Sequence, residues 1–480
     1  MLDKILKKYR NMSIPAKAAI WFVVCNILQK GISVITVPIF TRLLSTEEYG
    51  IYSLYLSWLN IITIFTSLNL YYGVFNNAML KYKDDRDRYT SSMQGLVVVS
   101  TAVVFGIYLV TQSGVNQFSG LSTVCFILMF IELLVTPALQ FWSARQRFDY
   151  KYKKLIILTL TKSILNPLLG IIVVIISNGG ALARIIATVV VELCFCGSLA
   201  IYQFRKGRCF YDRQYWTYAL KFNLPLLPHY LSGTILNQAD RIMIQSLVGT
   251  MEVAIYSVAY NVGMLMQLFT NAINSSFTPW FYISMQNGRY KKIRNISNIL
   301  LILMAALVIL LMFFAPEVIM IFAPEQYYEA IYVIPPVAAS VFFVYLYSLF
   351  SNLEFYFEKN IFIMIGSVLA ALLNVLLNAI FIPQFRYIAA GYTTLASYCL
   401  YSLAHYVFCT MISKKYLDGQ TVYDSKTVLI LSIIVIATAI TFNFLYDYFI
   451  PRYLMAAVLM IVLISKRNVV IDLLKEFKNK

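Results

Sequence analysis

The sequence predicts an all-α polytopic membrane protein of about 14 transmembrane helices, arranged as two parallel six-helix lobes with two further helices at the C-terminus. Three observations predict it: apolar stretches along nearly the whole chain, a lopsided distribution of basic residues between alternate loops, and an internal repeat. The chain has 480 residues, of which 60% are hydrophobic and only 13% charged, far from the balance of a soluble domain. Crossing a bilayer takes about 20 consecutive apolar residues per helix, and no polar stretch here is long enough to fold outside the membrane on its own.

Taken in order, apolar segments of that length fall near residues 16–40, 51–79, 91–112, 119–143, 155–177, 181–204 and 222–248. A second set follows near 252–282, 296–322, 330–352, 360–382, 387–412, 427–446 and 451–465. Pro451 and the shortness of the last run leave the final pair open to being a re-entrant hairpin instead of two full spans. The N-terminal MLDKILKKYRN is basic but leads into a full span with no small-residue cleavage site, so the first helix itself serves as the targeting signal.

Loop charge sets the orientation. Starting from the N-terminus, alternate loops hold 32 of the 39 Lys and Arg residues, whereas the opposite loops hold only Arg42, Arg386 and Arg452. Basic loops stay on the cytoplasmic side, which puts both termini in the cytoplasm and requires an even number of spans. This topology accounts for the net charge of +17. Nucleic-acid binding does not, because the basic residues are scattered through short loops and form no aromatic-basic module. The seven cysteines are odd in number, and Cys194 and Cys196 lack metal-site spacing, so they read as small buried apolar residues and no metal site is expected.

The repeat appears at an offset of 204. Leu43, Thr46, Glu48, Ile51, Tyr52 and Ser53 recur as Leu247, Thr250, Glu252, Ile255, Tyr256 and Ser257, six identities in the sixteen positions from 42 to 57. The offset contains an even number of spans, so both copies run the same way through the membrane. The expected organisation is a six-helix lobe over 1–204, a cytoplasmic linker over 205–221, a second six-helix lobe over 222–412, two extra spans over 413–465 and a basic tail over 466–480.

Polar residues within the spans are the candidate functional groups, because ionisable side chains in hydrocarbon are rare and usually face a cavity or a partner. In the first span Asn26, Lys30 and Ser33 share a face, and Arg42 sits where the helix emerges. Glu132 lies in the fourth span, Lys162 with Thr159 and Asn166 in the fifth, and Arg184 and Glu192 in the sixth. A structural Lys162–Glu pair and a carboxylate that titrates or binds a cation both fit this set. The seventh span carries His229, Gly233, Asn237 and Asp240 on one stripe with Arg241 at its edge, and the eighth carries Gln267, Asn271, Asn274 and Thr278. The eleventh adds neutral Ser367, Asn374 and Asn378.

Cationic walls with many amides and hydroxyls suit a cargo that is anionic and rich in hydroxyl groups, as a sugar linked through a diphosphate is. An organic cation would call for acidic and aromatic walls instead. The candidates for holding such a cargo are Lys30, Arg42, Lys162, Arg184, Arg241, Asn237 and Asn271, with arginine favoured at a diphosphate for its planar fork. The candidates for ion coupling are Asp240, Glu132 and Glu192. No residue is cast as catalytic.

Two stretches carry a family resemblance. IFTRLLSTEEYGIYSLYLSWLNII follows the first span, and LPLLPHYLSGTILNQADRIMIQSLVGTMEVAIYSVAYNVGML, with the Asp240–Arg241 pair, opens the second half. Both resemble the corresponding stretches of the polysaccharide transporter family of Wzx-type lipid-linked oligosaccharide flippases, within the multidrug/oligosaccharidyl-lipid/polysaccharide exporter superfamily. The resemblance implies a two-lobed, V-shaped transporter of the bacterial inner membrane. It would move undecaprenyl-diphosphate-linked repeat units of O-antigen, capsule or exopolysaccharide by alternating access, drawing on an ion gradient. The chain departs from the sibling lipid II flippases, whose first span is arginine-rich, in having only Lys30 and the terminal Arg42 there. The partners implied are the lipid-linked saccharide, the bilayer, and a polysaccharide polymerase with its chain-length regulator, with no nucleic acid.

Two other classes are weighed beside it. An ion-coupled drug exporter of the same superfamily shares the architecture but prefers acidic cation sites. A membrane-embedded polymerase or ligase needs reacting groups in a sizeable outer loop, and the outer loops here are short and mostly uncharged. No triad, Walker loop or nucleotide fingerprint is present, so the chain is read as a non-enzyme without a cofactor.

Overall fold

The structure, a computed structural model, describes residues 12–466. The basic N-terminal residues before Met12, and the expected basic tail beyond Lys466, lie outside the described residues. Among the described residues every regular element is helical, and they divide into two compact units, one up to Thr234 and one from Ile235 on.

In the first unit, α1 (Ile14–Leu43) leads through a two-residue turn to α2 (Thr46–Ser67). The turn is fixed by a capping box: Ser45 Oγ accepts from the Glu48 backbone N–H at 3.2 Å, and Glu48 Oε2 accepts from the Ser45 N–H at 3.0 Å. Two of the amides a helix start leaves unpaired are thereby satisfied. After α3 (Gly73–Lys81) come α4 (Arg86–Ser119), α5 (Thr123–Phe148) and α6 (Tyr152–Ser177). Next are α7 (Gly180–Glu192), a π-helical turn over Leu193–Gly197, and α8 (Ser198–Gly207). Helix α6 packs against both α1 and α7.

The segment read as an inter-lobe linker contains a helix, α9 (Arg213–Asn223), capped by Asp212, whose Oδ1 accepts from the Gln214 and Tyr215 amides. The helix packs within the first unit. Tyr215 and Ala219 join a buried cluster with Phe75, Tyr89 and Phe141, Trp216 Nε1 donates to the Ser92 carbonyl at 3.0 Å, and Asn223 donates to the Leu68 carbonyl at 2.7 Å. Aromatic side chains spaced one helical turn apart explain this: they bury one face of a segment whose Lys and Arg content alone reads as a loop.

The division between the units falls inside α10 (Leu227–Leu247). The second unit continues with α11 (Thr250–Gly263), α12 (Met266–Gln286), α13 (Tyr290–Phe313), the short α14 (Ala315–Phe322) and a 3₁₀ stretch over Glu325–Tyr332. Then come α15 (Ile334–Tyr356), α16 (Asn360–Tyr416), α17 (Ser425–Leu445) and α18 (Phe449–Ser465). Helix α15 is the core of this unit: nearly all of it is buried, and α11, α12, α13, α16 and α17 pack on it. Helix α16 is two helices joined at Arg386, whose φ of 56° and ψ of −153° break the spiral. Arg386 there pairs with Glu252, and Tyr387 donates to Glu329 at 2.5 Å.

Ten helices among the described residues are long and apolar enough to cross a membrane. One of them, Ile361–Tyr416, holds two of the expected spans on either side of Arg386. Three expected spans are absent from the ten for physical reasons. Helix α2 is diluted by Tyr, Ser and Thr, α10 carries His229, Asp240 and Arg241, and α18 is only 17 residues long. At ~1.5 Å per residue α18 falls short of a ~30 Å hydrocarbon core. It is held instead by a buried Arg452, which reaches Glu317 Oε1 at 2.5 Å. The repeat offset of 204 recurs in the helix boundaries: α1 ends at Leu43 and α10 at Leu247, and α2 begins at Thr46 and α11 at Thr250.

Candidate functional site

The second unit holds a buried polar cluster around Asp240, a residue of α10 with no solvent exposure. Three neutral donors from two other helices converge on its carboxylate. Asn378 Nδ2 donates to Oδ1 at 2.7 Å, Thr394 Oγ1 donates to Oδ2 at 2.7 Å, and the Tyr256 hydroxyl donates to the same Oδ2. A second layer holds the donors: Thr393 donates to Asn378 Oδ1, and Asn374 donates to Thr394 Oγ1 at 3.3 Å. A carboxylate offers about four acceptor positions, so three donors leave it close to saturation without a cation.

Arg241, the next residue, points elsewhere and makes no ion pair with Asp240. Its Nε donates to Ser257 Oγ at 3.0 Å and its Nη1 to the Asn237 carbonyl at 2.9 Å. The guanidinium carbon stands 4.4 Å from the Tyr260 ring centre, within cation–π range, and the Tyr260 hydroxyl donates to Asn237 Oδ1 at 2.9 Å. The roughly 100° between successive helical residues separates the two charges. Arg241 is thus oriented by neutral hydrogen-bond partners, with no carboxylate at ion-pair distance among the described residues. Asn271, on α12, is exposed and takes no part in this cluster.

The first unit has its own set. Lys162 Nζ lies 2.6 Å from Glu192 Oε1, and the Cys196 thiol donates to Glu192 Oε2 at 2.9 Å. Glu192 is the last residue before the π-helical turn that carries Cys196. Such turns re-aim side chains and are frequent at functional sites. Glu132, buried on α5, accepts a hydrogen bond from the Tyr55 hydroxyl at 2.8 Å.

Arg184 is buried on α7 and donates to Asn166 Oδ1 at 2.7 Å and to Thr188 Oγ1 at 2.9 Å, with its guanidinium over the rings of Phe40 and Tyr52. Gly170 makes room for it: a Cβ there would lie 2.6 Å from Arg184 Nη1. Lys30 is exposed on α1 with no carboxylate at ion-pair distance among the described residues. Arg42, also exposed, donates from Nη1 to the Pro38 carbonyl at 2.9 Å. The His229 ring sits 5.9 Å from that of Tyr230.

The structure therefore joins Lys162 to Glu192, Arg184 to Asn166, Glu132 to Tyr55, and Asp240 to Asn378. It does not bring Lys30, Arg42 or Asn271 into either buried set. Tyr256, Ser257, Tyr260, Thr393 and Thr394 complete the Asp240–Arg241 cluster and were not singled out as site residues from sequence. The available signal was the repeat itself, since Tyr256 and Ser257 match Tyr52 and Ser53, and Tyr52 likewise carries an arginine, Arg184, on its ring.

No curated protein matches the sequence. Among solved structures, the fold is similar to that of a lipid II flippase, MurJ, in an inward closed conformation, at a TM-score of 0.68 and 16% identity over 95% of this chain and 100% of that one. It is also similar to an inward-facing multidrug resistance MATE family transporter of the MOP superfamily, at a TM-score of 0.63 and 14% identity over 82% and 96%. A MOP superfamily transporter from Pyrococcus furiosus gives a TM-score of 0.55 and 14% identity over 83% and 97%. These likenesses establish the fold, an all-α multi-pass membrane architecture. The family model described as polysaccharide biosynthesis protein matches residues 16–285, more than half of the chain, and the chain belongs to that family.

Proposed function

We propose that this protein is a flippase that moves an undecaprenyl-diphosphate-linked oligosaccharide repeat unit, destined for O-antigen, capsule or exopolysaccharide, across the bacterial inner membrane by alternating access. The observation that carries the reading is the family match over residues 16–285. The likeness to a lipid II flippase over the full length of that protein supports it. Arg241 and Arg184, each aimed by neutral hydrogen bonds and aromatic rings, provide charge for a diphosphate. Lys30, Arg42, Lys162, Asn237 and Asn271 complete the proposed cargo-binding set, and Asp240, Glu132 and Glu192 the ion-coupling set. Both termini lie in the cytoplasm, and a six-helix lobe to each side of residues 205–221 rocks to expose the cargo to either leaflet. A polysaccharide polymerase and its chain-length regulator receive the product.

The test is surface polysaccharide in a strain whose chromosomal copy carries Lys30→Ala or Arg241→Ala. Both variants abolish it while the protein persists in the membrane. A normal polysaccharide level in both overturns the site assignment. Resistance to organic-cation drugs on overexpression, with polysaccharide unaffected by deletion, identifies a drug exporter instead.

A further inference from the structure

A further buried acid lies outside the Asp240, Glu132 and Glu192 groups. Glu354, on the last turn of α15, and His405, on the second half of α16, have no solvent exposure, and Glu354 Oε1 lies 2.7 Å from His405 Nδ1. The remaining atoms of the pair, Glu354 Oε2 and His405 Nε2, are buried and have no hydrogen-bond partner among the described residues. A buried polar atom without a partner is costly and uncommon, and here one falls on each member of the same pair.

Among the described residues, the surroundings offer no compensating charge. The Tyr401 ring lies 4.6 Å and the Tyr347 ring 5.6 Å from the imidazole, and Cys409 and Tyr423 are buried near Glu354. From the first half of α16, Gly366 faces Nε2, where a Cβ would lie 3.4 Å away. The titratable neighbours are thus three phenols and a thiol, all uncharged at neutral pH in ordinary surroundings. The cations next along the chain, Lys359 and Lys415, engage the ring of Tyr416 instead.

Proton counting then restricts the pair. With one proton on Nε2 and one between Nδ1 and Oε1 its net charge is zero, whether written as imidazolium and carboxylate or as imidazole and carboxylic acid. Removing a proton leaves one negative charge and adding one leaves a positive charge, and either is strongly disfavoured in a buried site without a counter-charge. The packed arrangement accepts only the neutral form, so loss of the proton must accompany entry of water between α15 and the two halves of α16.

From this we infer that Glu354 and His405 form a proton-binding site of the second unit: the proton is held while the helices are packed and released when they part. A ligand with different affinities for two conformations shifts their populations, and here the ligand is the proton. The site therefore supplies a route for proton coupling separate from Asp240. The inference rests on the transporter reading for what the proton drives and not for where it binds.

The chain has two histidines, which makes the imidazole directly observable. Protein labelled with [15N]histidine is placed in lipid nanodiscs, with His229→Gln assigning the signals of His405. Across a pH titration the pair loses one proton in a single step, and Glu354→Gln removes that step. Amide hydrogen exchange across the last turn of α15, corrected for its intrinsic pH dependence, rises through the same step. If Glu354→Gln fails to fold, the double variant Glu354→Gln/His405→Asn is neutral and retains a hydrogen bond. It folds, and its corrected exchange no longer varies with pH. Imidazole signals unchanged across the range, or a double variant whose exchange follows pH as the wild type does, overturns the inference. Neither measurement uses the cargo, so failure here is distinguishable from failure of the flippase reading.

Discussion

Asn378 donates to Asp240 across 2.7 Å although the two are 138 residues apart, and this bond ties α10 to α16 at a point sealed from water. Replacing Asp240 with Asn keeps the shape but sets an amide N–H2 against the donors of Asn378, Thr394 or Tyr256. One buried donor then lacks an acceptor, at a cost of about 1–3 kcal/mol. Thermal unfolding in detergent should show that loss. Adding Asn378→Asp, which moves the carboxylate to the other side of the same bond, should recover part of it. A double variant no more stable than Asp240→Asn alone contradicts the account of this bond.

The Lys162–Glu192 pair admits a structural and a functional role, and a double-mutant cycle separates them. Lys162→Met alone strands a buried carboxylate, costing about 3–5 kcal/mol, whereas removing both charges is often close to neutral. Lys162→Met/Glu192→Gln should therefore regain most of the stability. If it also regains surface polysaccharide, the pair serves structure; if the protein is stable and polysaccharide stays absent, the pair serves transport.

Gly180 has a left-handed φ of 55°, and a Cβ there would lie 1.6 Å from Glu48 Oε1, the carboxylate of the α2 capping box. Gly180→Ala thus combines backbone strain of roughly 1 kcal/mol with displacement of a helix cap worth about 0.5–2 kcal/mol. In a Glu48→Ala background the clash is gone, so Gly180→Ala should cost only the strain. Equal costs in both backgrounds, read from unfolding midpoints, contradict the cap–glycine contact.

The turn after α5 gives a pH-dependent signature. Burial raises the Asp149 pKa, but hydrogen bonds and charge from Arg145 and Lys151 outweigh it and hold the carboxyl below its usual range. A depressed folded-state pKa contributes stability that is complete above the unfolded value of about 3.9 and is lost as pH falls through the folded value. Because the pair is partly solvated the contribution is small, up to about 1 kcal/mol. Asp149→Asn should be less stable than wild type at neutral pH, and the difference should vanish as acidification passes through the depressed folded-state value. A difference that persists unchanged in acid contradicts this origin.

Much of the fold was legible because transmembrane helices announce themselves by length and apolarity, and because Glu48 and Glu252 mark equivalent helix starts. The helical nature of 213–223 was hidden, since the amphipathic spacing of Tyr215 and Ala219 is short and surrounded by basic residues. Within the site, helical periodicity placed His229, Asn237 and Asp240 on one stripe, but the partners of these residues come from other helices. Periodicity within one helix carries no information on which residue of another helix it meets. Thr394 lies 154 residues from Asp240 and His405 lies 51 from Glu354, so neither pairing has a local signature. The partner of Lys162 was legible only as a choice between two glutamates.

Transport of a lipid-linked saccharide is tested most directly with purified protein in lipid vesicles containing a fluorescent undecaprenyl-diphosphate-linked oligosaccharide and a membrane-impermeant quencher outside. With the wild-type protein the quencher should reach the whole pool of probe, and with Arg241→Lys, which keeps the charge but loses the fork, it should do so more slowly. An inner-leaflet pool as protected as in protein-free vesicles would contradict the account.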